Sequence, residues 1–210
     1  PRTFTAWLEQ YGKLIKKGAV VTDVTGVKEA IIDRVLYLLP EGVEFIAAHP
    51  MAGREMSGVE YSDSEVFRGA NYIVVPTEKN TENGIEICKS LGCELGFSKI
   101  STLSIEEHDR MIAFTSQLPH VLACSYVLSP CCPNHKGFSA GSYRDVSRVA
   151  NINSKLWSEL FLENREPLME ELAELYRNLS ALYGAIRDED RERLAALLEK
   201  GHSVKQALGE

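Results

Sequence analysis

His49 follows a short apolar run, and its type and position suit proton transfer. Val43 and residues 45–48 are mostly apolar, as in strands buried within a parallel sheet. Ligands of open α/β sheets bind beyond the carboxyl ends of such strands, which is where we expect His49 to lie. An imidazole there exchanges a proton near neutral pH, so His49 is our candidate for acid–base chemistry. A histidine that only caps the strand is the alternative that this stretch leaves open.

Cys131, Cys132 and His135 form a second group of residues whose types can do chemistry. Thiolates and imidazoles bind zinc, but zinc sites usually need a second pair of ligands, which this stretch does not offer. The five cysteines include this adjacent pair and show no spacing typical of a disulfide framework. We therefore predict no metal site.

The composition is that of an ordinary globular protein and excludes several classes of function. The 210 residues are 44% hydrophobic, which is enough for one large domain or two small ones. A net charge of −7 without a basic stripe argues against nucleic acid as a partner. Since the sequence shows no apolar run near the ~20 residues of a membrane span and no signal peptide, we expect a cytoplasmic protein that is not in a membrane.

The first half of the chain repeats the order strand, turn and helix. An apolar helical pattern ends at Gly18. One strand is predicted before the strand that leads to His49, and two are predicted after it. The predicted strands cover residues 19–22, 43–48, 71–76 and 93–100, and the predicted helices after the first cover residues 27–39 and 84–91. Such alternation predicts a mostly parallel sheet with helices on its faces, within a domain of residues 1–102.

From residue 103 to residue 210 the sequence predicts an all-helical domain. Ser104 and Glu107 form a capping box that opens a helix to about Leu128, which Pro119 interrupts. Further along, leucines recur at alternating spacings of four and three up to Ile186, the pattern of helices packed along one another.

A dinucleotide-binding domain should open with a strand and a G-x-G-x-x-G turn, and no such turn occurs in these residues. Asp23 does not replace the ribose-binding acid, because that residue lies ~20 positions after the glycines. We predict instead that Asp23 shapes the turn into the next helix. We expect that truncation has removed the first half of a doubly wound sheet, which would impair the binding of NAD or NADP.

Five segments, in order, resemble the prephenate dehydrogenase family, also called the prephenate/arogenate dehydrogenases. The segments are VVTDVTGVK at 20–28, AHPMAGREMSGVEYS at 48–62, EEHDR at 106–110, SQLPHVLA at 116–123 and YRDVSRVANINSKLW at 143–157. The resemblance implies a Rossmann-like domain followed by a helical domain that dimerises. It also implies oxidation of prephenate or arogenate with NAD or NADP, with loss of carbon dioxide, in tyrosine biosynthesis.

The resemblance assigns roles to individual residues. His49 matches the catalytic histidine, which accepts a hydrogen bond from the 4-hydroxyl of the substrate. Arg148 matches an arginine that binds a substrate carboxylate, and Asp145 could hold it in place. The predicted substrate-binding residues are Arg148, His120, Gln117 and Arg54. His108 matches the HD pair of the family, where support of the structure and contact with substrate are both open.

The turn at Val24, Thr25 and Gly26 is the predicted cofactor contact, and it departs from the family pattern. The family usually has D-V-G-S, whose serine hydroxyl reaches the nicotinamide and the substrate. Here glycine stands at that position, so Thr25 would have to supply the hydroxyl.

Two other classes of protein fit the sequence. One is a non-catalytic dimeric binding module, and the other is a dehydrogenase of the 6-phosphogluconate or hydroxyisobutyrate type, which commonly uses a lysine in its helical domain. The choices between prephenate and arogenate, and between NAD and NADP, stay open at this point, as does control by tyrosine.

Overall fold

The computed structural model describes residues 1–53 and 58–209. The strands within these residues are β1 (Val20–Thr22), β2 (Glu44–Met51), β3 (Asn71–Val75) and β4 (Lys99–Thr102). The α-helices are α1 (Arg2–Tyr11), α2 (Glu29–Leu38), α3 (Glu82–Glu94), α4 (Ile105–Ile112), α5 (Leu118–Val127), α6 (Gly141–Ser147), α7 (Ser154–Glu163), α8 (Arg165–Arg187) and α9 (Arg191–Ala207). The strands are followed by helices alone, as the sequence predicted for this fold class.

The chain forms two compact units, Pro1–Leu168 and Met169–Glu210. The first unit contains the sheet and the helices from α1 to α7. The predicted domain boundary near residue 103 falls inside that unit, and it stays a prediction about domain organisation.

The strands lie side by side in the order β1, β2, β3, β4. β1 pairs with β2 in parallel, and β3 pairs with β4 in parallel. β2 and β3 are antiparallel, which the sequence analysis did not foresee. β2 is also longer than predicted, because its pairing with β3 continues through His49 to Met51. His49 therefore lies within the strand, opposite Ile73.

Alternate residues of β2 enter the two halves of the core. Phe45 and Ala47 pack with residues of α1 and α2, in the cluster Leu8, Ile31, Ile32, Val35, Phe45, Ala47, Ile73 and Val75. The opposite face belongs to the cluster Ile46, Ala48, Tyr72, Val74, Cys88 and Phe97. Because side chains alternate along a strand, His49 projects on the same face as Ala47. Ile105 of α4 packs on this face too, so α4 is near His49.

The predicted strand at residues 93–100 is wrong over residues 93–98. Cys93 and Glu94 complete α3, and the strand begins only at Lys99. Gly96, with φ +85°, ends the helix in the left-handed conformation that glycine adopts without strain. The amide of Phe97 donates to the carbonyl of Gly92 at 3.2 Å and that of Gly96 to Cys93 at 3.1 Å, which is a Schellman motif.

The capping box that opens α4 is confirmed. Ser104 Oγ accepts from the amide of Glu107 at 3.1 Å, and the Glu107 carboxylate accepts from the amide of Ser104 at 2.9 Å. Beyond α4 the helix passes through one π-helical turn at Ala113–Gln117 and continues as α5, with Pro119 in its first turn. The predicted interruption is therefore a π-helical turn that precedes the proline.

The unit Met169–Glu210 consists of most of α8 and of α9. Asp190 caps α9 by accepting from the amide of Arg193 at 3.0 Å. Ala185 is fully buried, whereas Tyr176, Tyr183 and Leu198 are largely exposed. In the parts of the chain described, no helix is both long enough and apolar enough to cross a membrane.

Candidate active site

A pocket of about 510 Å³ opens beside the end of β2. Its wall takes residues from β2, from the π-helical turn, from α5 and α7, and from the segment after α6. Four of the residues that line it could bind or transform a ligand: His49, His120, Arg148 and Trp157. The pocket thus brings together the predicted base and three of the predicted substrate-binding residues, His120, Arg148 and Gln117, which lie up to 99 positions apart in the sequence.

His49 is the first member of a chain of three hydrogen-bonded side chains. Its Nδ1 lies 2.9 Å from Nε2 of His108, and Nδ1 of His108 lies 2.6 Å from the Asp109 carboxylate. His108 and Asp109 are fully buried in α4. The Nε2 of His49 is the ring nitrogen that His108 does not engage. His108 contacts His49 and does not line the pocket, which favours support over contact with substrate; its role stays a prediction.

The surroundings of His49 keep its imidazole neutral. Burial, with smaller contributions from the nearby Lys28 and His108, lowers the pKa of His49 from 6.5 to about 3. A neutral imidazole has a lone pair for an incoming proton, so the site suits a base at neutral pH.

A buried ion pair holds the turn after β1 against β2. The Lys28 ammonium donates to the Asp23 carboxylate at 2.7 Å and to the carbonyls of Ala48 at 2.6 Å and Thr25 at 3.0 Å. Asp23 also accepts from the amides of Thr25 and Ala48, each at 2.9 Å. The prediction that Asp23 shapes this turn is confirmed. Burial lowers the pKa of Lys28, and the Asp23 carboxylate partly offsets that effect.

The Asp109 carboxylate binds the start of α2 in addition to binding His108. Its carboxylate accepts from the amide of Lys28 at 2.9 Å and from the amide of Glu29 at 2.9 Å. The first amides of a helix have no partners within the helix, and a carboxylate there also interacts favourably with the helix dipole. Asp109 therefore has a fixed place and orientation beneath the two histidines.

His120 stacks on Trp157 at the opposite wall of the pocket. The ring centroids are 3.7 Å apart with an angle of 27° between the planes. Nδ1 of His120 lies 2.7 Å from the carbonyl of Ser116, which can only accept, so Nδ1 is the donor. That bond leaves Nε2 of His120 for a ligand.

The other predicted substrate-binding residues differ in their surroundings. Arg148 begins a 3₁₀ turn directly after α6, and it is exposed at the pocket. Asp145 is exposed in α6 and forms an ion pair with Arg144 at 4.0 Å. Gln117 is buried, and its amide donates to the carbonyl of Leu160 at 3.0 Å and accepts from Asn164 at 2.8 Å. Arg54 lies outside the described residues, so its role stays a prediction.

The turn of Val24, Thr25 and Gly26 reaches the pocket only through Gly26. The hydroxyl of Thr25 is hydrogen-bonded to the Asp23 carboxylate and lies 3.0 Å from the carbonyl of Val27. This hydroxyl is turned into the loop, which argues against the role that the sequence analysis gave it. A second, mostly apolar hollow of about 520 Å³ also borders the turn and is lined in part by Phe4, Trp7 and Val24.

Comparison with known proteins assigns both halves of the chain. A profile described as "Prephenate dehydrogenase, nucleotide-binding domain" matches residues 1–99, and one described as "Prephenate dehydrogenase, dimerization domain" matches residues 104–200. The chain belongs to the prephenate dehydrogenase family. The resemblance noted in the sequence is thereby confirmed.

Relatives within the prephenate dehydrogenase family are about 30% identical to this chain. A prephenate dehydrogenase of Bacillus subtilis is 30% identical over 92% of this chain, which spans 53% of that protein. A cyclohexadienyl dehydrogenase of Zymomonas mobilis is 30% identical over 92% of the chain, which spans 68% of it. The crystal structure of prephenate dehydrogenase from A. aeolicus with hydroxyphenyl propionate and NAD+ aligns with a TM-score of 0.85 and 28% identity, covering 99% of this chain and 73% of that one.

Sequence reasoning missed three residues that build this site. Lys28 and Asp109 were part of quoted segments but were not singled out, and Trp157 was not assigned to the pocket. Lys28 could have been noticed, because it directly precedes α2 and stands three positions before the apolar Ile31, where a charged residue that becomes buried needs a partner. The predicted metal-free state of Cys131, Cys132 and His135 stays a prediction. In the described residues Cys132 and His135 both contact Tyr143.

Proposed function

We propose that this protein is a prephenate or arogenate dehydrogenase, which oxidises and decarboxylates its substrate with NAD or NADP. The observation that carries the proposal is one pocket that holds a half-buried histidine, His49, whose surroundings favour its neutral form, together with His120 and Arg148. A proton acceptor and cationic or donor groups are what a hydroxylated cyclohexadiene with two carboxylates requires. The family membership of the chain supports the same reaction.

Arg148 and His120 suit the carboxylate groups of such a substrate. A guanidinium is planar and permanently charged, so it can bind a carboxylate with two parallel hydrogen bonds. His120 holds its Nδ1 on Ser116, so Nε2 can face a ligand, and the Trp157 ring beneath it limits rotation. Trp157 also offers an apolar surface next to the place where a ring would lie. Gln117 then supports the wall of the pocket through Leu160 and Asn164.

His49 manages the proton in the proposed reaction. Its Nε2 accepts the proton of the substrate 4-hydroxyl while the hydrogen on the same carbon leaves as hydride. The carbon–carboxylate bond then breaks, its electron pair makes the ring aromatic, and the proton returns from His49 to the phenolic oxygen. Substrate and oxidised cofactor thus become a phenol, carbon dioxide and reduced cofactor, without net gain or loss of protons.

The turn of Val24 to Gly26 and the apolar hollow beside it would hold a nicotinamide. Gly26 borders both the hollow and the pocket of His49, so a flat ring in the hollow would meet a substrate in the pocket. When bound, the nicotinamide supplies the hydride acceptor. Since these 210 residues contain no G-x-G-x-x-G turn, we also propose that this polypeptide binds the dinucleotide weakly.

We further propose that the protein is a homodimer joined through its helical part. The match of residues 104–200 to a dimerization domain supports this, as do the exposed apolar residues of α8. The cytoplasmic location and the absence of nucleic-acid partners remain predictions from the sequence.

The test is turnover of prephenate and of arogenate, each with NAD and with NADP. The assay uses the 210-residue chain and any longer form that the gene encodes, and it follows reduced cofactor by absorbance. We expect a high Michaelis constant for the cofactor in the 210-residue chain. His49→Asn should lower kcat on the order of 10²–10⁴-fold, because the amide keeps a hydrogen bond but is not a base.

The matched control is His202→Gln, since His202 is exposed in α9 and should not affect turnover. Failure of every form to turn over either substrate would favour the non-catalytic binding module. Turnover that survives in His49→Asn would contradict the role of His49 as the base.

A further inference from the structure

The hydrogen-bond chain from Asp109 to His49 determines which ring nitrogen of His49 carries a proton. A carboxylate can only accept, so Nδ1 of His108 donates to Asp109. In neutral His108 the other nitrogen, Nε2, must then accept, and its partner is Nδ1 of His49. His49 therefore donates through Nδ1, and its Nε2 has the lone pair.

We propose that Asp109, acting through His108, selects the tautomer of His49 that can accept a proton at Nε2 in the pocket. His108 and Asp109 are thus positioning residues, since neither lines the pocket. The selection of a tautomer does not depend on what the pocket binds. Its consequence for turnover rests on the proposed function.

Asp109 can impose this choice because helix α2 holds it in place. Its carboxylate accepts from the amides of Lys28 and Glu29, so its oxygens point at the helix start and at His108 together. Both histidine rings are confined, His108 by full burial and His49 by its pairing with His108. Rotation of either ring to exchange its two nitrogens would break one of these hydrogen bonds.

The same hydrogen bonds stabilise His49 after it has taken up a proton. The imidazolium keeps donating Nδ1–H to His108, and the Asp109 carboxylate at the end of the chain balances part of the charge. Because the Asp109 side chain is itself buried, its carboxylate does not pass the proton on to solvent. The proton stays with the two histidines until the substrate oxygen takes it back.

Asp109→Asn should reverse the direction of the hydrogen bonds that link residue 109, His108 and His49. The amide oxygen is needed by the two amides of α2, so its NH₂ group would face His108. Nδ1 of His108 would then have to accept, its Nε2 would donate, and His49 would accept at Nδ1. The proton of His49 would move to Nε2, and the base would lose its lone pair in the pocket.

The experiment is ¹⁵N nuclear magnetic resonance of the histidine rings in the wild-type protein near pH 8. His49→Gln and His108→Gln identify the two sets of signals among the five histidines. We expect protonated Nδ1 and unprotonated Nε2 in both rings. A wild-type His49 with its proton on Nε2 overturns the proposal, and this holds even if no variant folds.

The variant Asp109→Asn is then compared with Glu106→Gln, an exposed position of the same helix. We expect Asp109→Asn to move the proton of His49 to Nε2 and to lower kcat about 10²–10⁴-fold with a smaller change in KM, whereas Glu106→Gln does neither. A folded Asp109→Asn protein with an unchanged His49 tautomer overturns the proposal. An altered tautomer with unchanged kcat overturns its consequence for turnover. If the wild type turns over neither substrate, the proposed function fails while the tautomer result stands.

Discussion

At the scale of single residues, His49 illustrates how an ordinary side chain becomes a base through its surroundings. Its position in β2 places it beneath α4, where burial, Lys28 and His108 all disfavour the charged imidazolium. Because the pKa of His49 is lowered to about 3 from its usual 6.5, the folded protein should become less stable in acid. The folded state resists a proton that the unfolded chain accepts readily.

The first prediction is a contribution of His49 to the pH dependence of stability. Because its pKa is lower in the folded state, the stabilisation that neutral His49 provides is complete above pH 6.5 and is lost as pH falls towards 3. The wild type should therefore lose more stability between pH 6.5 and pH 4.5 than His49→Gln does. Urea unfolding at a series of pH values measures this difference.

His202→Gln is the control, because this exposed histidine should leave the pH dependence as it is in the wild type. Parallel curves for the wild type and His49→Gln would contradict the burial of a neutral imidazole at this position.

At the scale of secondary-structure elements, the site depends on the point where β1, β2, α2 and α4 meet. The Lys28 side chain joins Asp23 in the turn after β1 to the Ala48 carbonyl in β2. Its backbone amide meets Asp109 of α4. Lys28 therefore contacts both Ala48, which precedes His49, and Asp109, which supports His108. Any loss there should disturb several elements together.

The second prediction concerns this lysine. Lys28→Met should lower the free energy of unfolding by about 3–5 kcal/mol, because it leaves the buried Asp23 carboxylate without its ion partner. Denaturant unfolding measures the change. The double variant Asp23→Asn/Lys28→Met should recover part of the loss, since it removes both charges.

The control for this experiment is Lys16→Met, at an exposed position, which should change the free energy of unfolding by no more than about 0.5 kcal/mol. If Lys28→Met were as mild as this control, the ion pair would not hold the junction together.

At the scale of the whole molecule, α8 presents an apolar stripe that the residues described by the structure leave exposed. Tyr176, Leu179, Tyr183 and Ile186 follow one another at spacings of three and four, so they share one face of the helix. They are between 49% and 72% exposed. A stripe of this kind fits a contact between subunits, and it belongs to the segment that matches a dimerization domain.

The third prediction is a homodimer at micromolar concentration that depends on this stripe. Tyr176→Glu combined with Tyr183→Glu should shift the protein towards monomer, because both charges would be buried at the interface. Sedimentation velocity measures the distribution. Tyr37→Glu is the matched control, since Tyr37 is 79% exposed and lies outside the segment that matches the dimerization domain. A wild-type monomer would contradict the prediction.

Features that depend on residues close in sequence were predictable. The apolar run before His49, the capping box of Ser104 and Glu107 and the helices from α7 to α9 follow from local spacing, because hydrogen bonds and side-chain periodicity act within a few residues. The shape of the turn at Asp23 could be inferred in the same way. Family motifs then gave His49, His120 and Arg148 their expected roles, and the pocket brings these three side chains together.

Only the tertiary structure decided how the base is prepared for its task. His49 and His108 are 59 positions apart, and Asp109 meets the start of α2 across 81, so neither contact leaves a pattern that spacing rules detect. The antiparallel pairing of β2 with β3 and the inward turn of the Thr25 hydroxyl were likewise invisible in the sequence. The physical reason is that burial and long-range hydrogen bonds arise when elements pack, and they set the charge and tautomer of a side chain whose identity alone permits several.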